Sequence, residues 1–521
     1  MNLKDTVLGI ELGSTRIKAV LIDKSHIPIA SGAYEWENKF ENGIWTYSID
    51  SVKIGLRTCF SDLKNNFKQK FSFDLTTVGA IGISGMMHGY LPLDKNGNVL
   101  TEFRTWRNTI TEEAAEKLSA LFDFNIPQRW SIAHLYQAML NKEKHLSDLD
   151  YLVTLSGYVH LLLTGEKVIG IGEASGMFPI DSAILNYDEN MLSKFDNLVK
   201  KQGFDWKIKD ILPKVLTAGT CGGYLTKSGA LLLDPNGEFE AGIPFCPPEG
   251  DAGTGMVATN SIKENTGNVS AGTSDFAMLV PDKKINMHKE IDMVTTPSGK
   301  AVAMVHCNNC TSDINAWVEI FYEFAKITGS SINKSDLFTL LFQKALEGDF
   351  DCGGLLSYNY LSGEGITDLA EGRPLFVRMQ NSKFNLANFM RVHLMSALAT
   401  LKIGMKILDK EDIKIDKIYA HGGYFKTPLV GQKILSSALG CPVTVMETAG
   451  EGGPYGMAIL VGYMLWKQDG ELLENYLENK VFSKVKANTV IASRAEIEGF
   501  EKFTAMYENA ISVEKEAIKK L

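Results

Sequence analysis

The sequence predicts a mixed α/β protein built from a duplicated domain. Two strand–turn–strand units of the same layout, and an alternation of strand-length apolar runs with helix-spaced segments, carry that prediction. The first unit is Val7 to Leu12, broken by Gly13-Ser14-Thr15 and resumed from Ile17 to Asp23; Ile27 to Tyr34 extends it into a meander. Ser51 to Phe67 then shows helical spacing at Val52, Leu56, Phe60 and Leu63, and Val78 to Ser84 is a continuous apolar run of the kind that forms a buried strand. The second unit follows about 260 residues after the first, at Asn268 to Val280, with Gly272-Thr273-Ser274 as its turn. The pair suggests two similar halves with a cleft between them and a boundary between Gly250 and Thr266. Domains of 1–258 and 259–470 follow. The Glu- and Lys-rich stretch 471–521 is expected to be a solvated helical extension. Tyr455 to Trp466 is apolar but too short to span a bilayer, and is expected to be a buried helix.

Composition narrows the class. The 521 residues are 45% hydrophobic and 22% charged, which is ordinary for globular chains. With 53 basic against 62 acidic residues the net charge is −9, which argues against nucleic acid as a partner. Seven cysteines, an odd number, argue against a disulfide scaffold and for a reducing compartment. Cys307 and Cys310 form a lone Cys-x-x-Cys without a second pair, for which two ordinary thiols are the expectation and a metal or redox role the alternative. No signal peptide is expected at the N-terminus, because Glu11 interrupts any apolar run there. A cytoplasmic protein with no membrane partner is the default expectation.

Several short motifs carry possible chemistry. A Gly-Ser-Thr turn aims successive N–H groups one way and adds small hydroxyl donors, so Gly13, Ser14 and Thr15 suit a phosphate. Lys18 on the next strand offers a point charge, and Glu11 a carboxylate for magnesium through water. The competing reading is a plain hairpin turn with surface charges. Gly272 and Thr273 offer a second phosphate turn. Gly422 and Gly423, after the apolar Ile418 to Ala420, allow a flat ring to approach closely, or simply make a tight strand-to-helix turn. Asp251, flanked by Gly and Pro, suits either a base accepting a hydroxyl proton or the cap of a helix beginning at Ala252. His88, in Met86-Met87-His88-Gly89, suits a sugar hydroxyl or a structural turn. Trp106-Arg107-Asn108 adds a stacking face and donors. There is no Gly-x-x-x-x-Gly-Lys-Ser/Thr phosphate loop and no His-Glu-x-x-His.

Taken in order, these segments resemble the FGGY family of carbohydrate kinases, and within it the xylulokinase-like group. The likeness rests on Gly9 to Val20, Met87-His88-Gly89, Trp106 to Thr111, Leu163-Thr164-Gly165 with Ala174-Ser175-Gly176, Gly250-Asp251-Ala252, Gly272-Thr273-Ser274, Tyr360 to Glu364, and Gly422-Gly423 through Pro428-Leu429. It spans about residues 7 to 465. No single motif is specific; their shared order and spacing are.

The resemblance implies two ribonuclease H-like, actin-like ATPase domains with a nucleotide cleft between them. It implies ATP-dependent phosphorylation of a small sugar, most nearly a ketopentose similar to xylulose, with ATP and magnesium as cofactors and a homodimer as one expected assembly; the alternatives are a kinase of another sugar, polyol or sugar acid (ribulose, fuculose, gluconate) and an actin-like ATP-binding sugar sensor without turnover. Asp251 would take the sugar hydroxyl's proton. Ser14, Thr15 and Lys18 would contact the transferring phosphoryl group, and Glu11 would hold magnesium. Gly272 and Thr273 would bind nucleotide phosphates, Gly422 and Gly423 would lie against adenine, and Met87, His88, Trp106, Arg107 and Asn108 would meet the sugar. Three positions depart from the pattern. Glu11 stands for the usual Asp, Asn108 for a frequent Asp, and Asp275 for a small residue, bringing an expected negative charge near the nucleotide's phosphates.

Overall fold

The computed structural model describes residues 1–450 and 452–521. The chain divides into two compact units, one from Met1–Ile262, Asp292–Val302 and Glu451–Lys484, the other from Lys263–Ile291, Ala303–Gly450 and Val485–Leu521.

The sheet of the first unit is built from β1 (Thr6–Leu12), β2 (Arg16–Asp23), β3 (Pro28–Glu35), β4 (Ala80–Gly85), β5 (Gly223–Tyr224) and β6 (Pro244–Phe245), in the order β5-β6-β4-β1-β2-β3. A short β7 (Glu249–Gly250) pairs in parallel with the end of β4. β1 runs antiparallel to β2 and parallel to β4. All six residues of β4 are buried, as its unbroken apolar run predicts. Helix α1 (Ile49–Phe71) covers the sheet. Its N-terminus is capped by Ser48, whose Oγ accepts the Ser51 N–H, and Ser72 ends it in the left-handed conformation. The buried face carries Val52, Leu56, Phe60, Leu63 and Phe67, and packs so closely on β3 that a Cβ at Gly32 would lie 2.3 Å from the Cys59 carbonyl oxygen.

Two further helices place the site. α2 (Asp251–Ala258) starts directly after β7. α5 (Gly452–Trp466) is apolar on every side and buried at each position from Pro454 to Tyr463, as a helix without a polar face must be. It lies against both β1 and α2. A Cβ at Gly9 would meet the Pro454 carbonyl oxygen at 2.2 Å, and one at Gly456 the Thr254 carbonyl oxygen at 1.9 Å.

The second unit repeats the plan with β8 (Thr266–Ala271), β9 (Asp275–Leu279), β10 (Ala301–Cys307), β11 (Lys417–His421), β12 (Val443–Met446) and β13 (Ala487–Val490), ordered β10-β9-β8-β11-β12-β13. Here β8 runs antiparallel to β9 and parallel to β11, which is the relation of β1 to β2 and to β4. The two hairpins seen in the sequence therefore occupy the same place in two sheets of like topology. Helices α3 (Leu386–Lys410) and α4 (Val430–Leu439) pack in this unit.

The stretch 471–521 is not a purely helical, solvated extension. Residues 487–490 form β13 at the sheet edge, and α6 (Arg494–Asn509) buries Phe500, Phe503 and Tyr507. The strand escapes sequence reading because it is short and largely exposed. The apolar positions of α6 are spaced three and four apart, so they share one face. No helix among the described residues is long and apolar enough to cross a membrane.

The approach of α5 to β1 yields a stability prediction. Gly9→Ala must push helix and strand apart and is expected to lower the unfolding free energy by roughly 1–3 kcal/mol. Gly365→Ala, on exposed backbone with nothing within 4 Å of the new Cβ, is expected to change it by less than about 0.5 kcal/mol. Urea unfolding of the two variants checks both.

Candidate active site

The first turn is held from behind by aromatic residues. The Gly13 N–H donates to the Arg16 carbonyl at 3.0 Å and closes the hairpin. Trp36 Nε1 donates to the Gly13 carbonyl at 2.7 Å, and the Tyr47 hydroxyl to the Ser14 carbonyl at 2.5 Å. The rings of Trp36 and Tyr47 stack with centroids 4.2 Å apart. Trp106 Nε1 donates to Ser14 Oγ at 3.2 Å. With the carbonyls of the turn engaged and the Ser14 hydroxyl oriented by an acceptor role, its proton points to be given elsewhere.

Glu11 and Lys18 are cross-strand partners on β1 and β2. The start of α5 crowds Glu11, since a Cβ at Gly453 would come 1.5 Å from its Oε2. Burial, reinforced by the charge of Asp251 and opposed by Lys18, pushes the Glu11 carboxyl up to about 8.

Asp251 is the first residue of α2, and Gly250 occupies the cap position. The helix-cap reading is therefore not the main use of this side chain. Its Oδ1 instead accepts the N–H of Met87 at 3.2 Å, joining the start of α2 to the loop after β4. Burial raises the Asp251 carboxyl to about 6, and the backbone N–H groups of Met87 and Ala252 limit the rise. The junction is rigid. β7 pairs Glu249 with Ser84 and Gly250 with Gly85, and Ser84 Oγ and Thr254 Oγ1 lie 3.1 Å apart in hydrogen-bond contact.

His88 is buried and left-handed, with φ 71°. Its Nδ1 lies 3.1 Å from the Gly176 carbonyl oxygen, which can only accept, so Nδ1 carries a proton. The ring stacks near Trp130, and a Cβ at Gly176 would collide with it at 2.6 Å. The turn conformation and the held ring show the structural role of His88. Met87 is buried. The Arg107 guanidinium lies over the Trp45 ring, 4.2 Å from its centroid. Asn108 is placed differently from expectation. Its Oδ1 accepts from Trp45 N–H at 2.9 Å, and its Nδ2 donates to the carbonyls of Trp45 and Thr105. Its amide ties two backbone segments together and is not presented to a sugar.

In the second unit, the Gly272-Thr273-Ser274 turn is clamped through its carbonyls. Cys310 N–H donates to Thr273 at 2.9 Å, while Thr311 donates to Gly272 through N–H at 3.0 Å and Oγ1 at 2.7 Å. Asn309 supports that clamp by accepting the N–H groups of Leu361 and Ser362, and Glu364 accepts the N–H of Asn308. Gly422 has φ 105°, and a Cβ there would lie 2.3 Å from the Ala271 carbonyl oxygen, so only glycine lets β11 end beside β8. Gly423 next to it has nothing within 4 Å of a Cβ position.

One expectation changes here. Asp275 was expected to put negative charge near phosphate. It is fully buried, and burial with the neighbouring Glu364 charge holds its carboxyl well above the usual range, which disfavours the charged form there. The thiols of Cys307 and Cys310 are buried and free, and burial pushes both well up, which suppresses thiolate chemistry. Sequence reasoning missed the supporting groups: Trp36, Trp45, Tyr47, Asn309, Thr311 and the buried Glu249 and Glu173. Glu249 lies two positions before Asp251, Glu173 directly before Ala174-Ser175-Gly176, and Asn309 and Thr311 within and just after the Cys-x-x-Cys, so proximity to a motif was the available signal for these four.

The raised Asp275 carboxyl has a measurable consequence. Asp275→Asn replaces an acid whose charged form burial disfavours by a neutral group of equal size, and is expected to leave ATP affinity within about threefold by calorimetry. An ionised Asp275 would instead give a gain of about tenfold on removing its charge.

Comparison with known proteins agrees with this arrangement. Residues 6–257 match the N-terminal domain, and residues 267–465 the C-terminal domain, of the FGGY family of carbohydrate kinases. A xylulose kinase from Haemophilus influenzae is 24% identical over 480 residues, covering 85% of this chain and 91% of that protein. A ligand-bound xylulose kinase and a gluconate kinase, both from Lactobacillus acidophilus, each superpose with a TM-score of 0.78 at 17% identity, covering 98% of both chains. The structural likeness extends to kinases named for different sugars and so shows the fold, not the substrate. The clamped turns, the partly buried aspartate between them in sequence and the match across both halves together place this chain in the FGGY family of carbohydrate kinases, as an ATP-dependent sugar kinase with the two-domain actin-like ATPase fold.

Proposed function

We propose that the protein phosphorylates a hydroxyl of a ketopentose similar to xylulose, by direct in-line transfer from ATP with Asp251 as the base. The carrying observation is the Asp251 carboxylate, partly buried at a helix start, fixed by the Met87 N–H and raised to about 6. A base of this strength is ionised at pH 7 yet accepts a proton more readily than an exposed aspartate. In the step, the sugar oxygen attacks the γ-phosphorus, its proton passes to Asp251, and the bond to the bridging oxygen of the departing ADP breaks. Ser14, Thr15 and Lys18 steady the transferring phosphoryl oxygens. Gly272 and Thr273 hold the nucleotide's phosphates, and Gly422 and Gly423 take adenine. Met87, His88, Trp106 and Arg107 face the sugar. Positioning and charge stabilisation supply most of the rate, as in phosphoryl transfer generally.

The residues fit magnesium. Glu11 and Asp251 interact electrostatically, and a divalent cation would relieve the repulsion that helps raise Glu11. Magnesium needs few carboxylates, since it keeps several waters and takes phosphate oxygens. Glu11 would hold it, and when bound it would neutralise charge on the phosphate oxygens.

ADP release measured against ketoses, aldoses, polyols and sugar acids tests the assignment. Ketopentoses are expected to give the highest kcat/KM. A preferred polyol or sugar acid overturns the substrate, and no sugar-dependent release overturns turnover itself. Asp251→Asn is expected to cut kcat by at least roughly 10²-fold with ATP affinity within a few-fold. Because the base works ionised, kcat/KM is expected to fall tenfold per pH unit below about 6.

Metal binding adds a separate pH dependence. Without metal the Glu11 carboxyl is protonated below about 8, so protons compete with magnesium there. Magnesium affinity by calorimetry is expected to weaken as pH falls from about 8 to 6.5, and Glu11→Gln to flatten that dependence while weakening binding overall.

A further inference from the structure

Beside Asp251 lies a buried acid that the reaction above does not use. Glu249, on β7, sends its side chain across to the short helix Ile171–Ala174. Its Oε2 accepts the N–H of Glu173 at 3.0 Å. The fit is close on both sides. A Cβ at Gly170 would lie 2.2 Å from Oε1, and one at Gly172 2.5 Å from Oε2. The Gly170 N–H donates to the Pro248 carbonyl at 2.8 Å, so the two segments are joined at two successive points.

From this junction the contacts close a ring. In one direction β7 leads through Gly250 to Asp251, whose Oδ1 holds the Met87 N–H. His88 follows Met87, and its Nδ1 bonds to the Gly176 carbonyl. In the other direction, the short helix whose N–H groups face Glu249 runs on to Gly176. Ser175 Oγ fastens this turn to the Gly172 carbonyl at 2.6 Å and accepts the Thr295 N–H at 3.0 Å. The base and the histidine of the sugar loop are thus referred to one carboxylate that itself faces neither.

We propose that Glu249 is a positioning residue: by accepting the Glu173 N–H, it sets the register between β7 and the 170–176 turn, and through that register the mutual placement of Asp251, Met87 and His88. This rests on the reading of Asp251 as the base. An acceptor is required because the turn's N–H would otherwise be buried without a partner. Glycine at 170 and 172 leaves room for the carboxylate, and an alanine at 249 would leave a void in its place. The titratable groups that face Glu249 are Glu173 and Cys246, and Glu11 and Glu173 face Asp251.

The test compares Glu249→Ala, Glu249→Gln and Asp251→Asn in the full chain, each with thermal unfolding to confirm the fold. Glu249→Ala is expected to lower kcat about 10- to 100-fold and leave KM for ATP within about threefold. Losing its alignment with the Met87 N–H removes a contact that keeps Asp251 acidic, so the acid limb of the kcat/KM profile should move to higher pH. Glu249→Gln keeps an acceptor of the same size and is expected to restore both the rate and the limb. If Glu249→Ala does not fold, Gly172→Ala, which presses on Oε2, is expected to produce the same shift of the limb. An unmoved limb with normal kcat in a folded Glu249→Ala overturns the proposal, as does a folded Glu249→Gln as impaired as Glu249→Ala. Full activity of Asp251→Asn would instead overturn the base assignment, so the two failures are distinguishable.

Discussion

The contact between the buried helix Gly452–Trp466 and strand β1 sets the reference for the first unit's chemistry. Gly9 lets the helix backbone touch the strand, Gly453 lets it crowd Glu11, and Gly456 lets it touch Thr254 on the helix that Asp251 begins. One apolar helix therefore registers both the phosphate turn and the base. A helix hydrophobic on all sides gains from burial along its whole length, and small residues convert that gain into close approach. The carboxylates of Glu11 and Asp251 meet because the segments carrying them are held by the same neighbour.

Burial of acids is the electrostatic theme. Asp251 is raised to about 6, which leaves it ionised near neutral pH, whereas Glu11 is raised to about 8 and has reason to take a cation. Asp275 in the second unit is also held well above the usual range, and Glu364 beside it is raised to about 7. Four acids of similar intrinsic strength are thus all raised, by amounts that their surroundings set. Desolvation raises all of them, and the number of N–H donors and like charges nearby decides how far. The Cys-x-x-Cys pair lies in the same environment as Asp275, which is why its thiols are inert.

Much of the fold was legible. Gly13-Ser14-Thr15 and Gly272-Thr273-Ser274 read as hairpin turns because small residues interrupt β-branched runs, and both are. The helix near Ser51 to Phe67 and the strand near Val78 to Ser84 were legible from periodicity and from an unbroken apolar run. The edge strand at 487–490 was not, since it is short, largely exposed and carries no burial alternation. At the site, Asp251 stood out by its glycine and proline neighbours. Asn108 stood out by motif, but its amide is consumed by the Trp45 and Thr105 backbone, a use that depends on a hairpin some sixty residues earlier.

The sequence by itself determined the local elements, the two phosphate-type turns, the apolar helix and the ordered motifs that mark a sugar kinase. These follow from backbone preferences and periodicity within a few residues of each position. Tertiary structure alone decided which acids are charged, which polar groups are free to meet a ligand, and which carbonyls of the turns are tied down. Those properties depend on desolvation and on donors far away in the chain. Glu11 answers to Gly453, Asp251 to Met87, and Glu249 to Glu173, and no local pattern encodes such pairs.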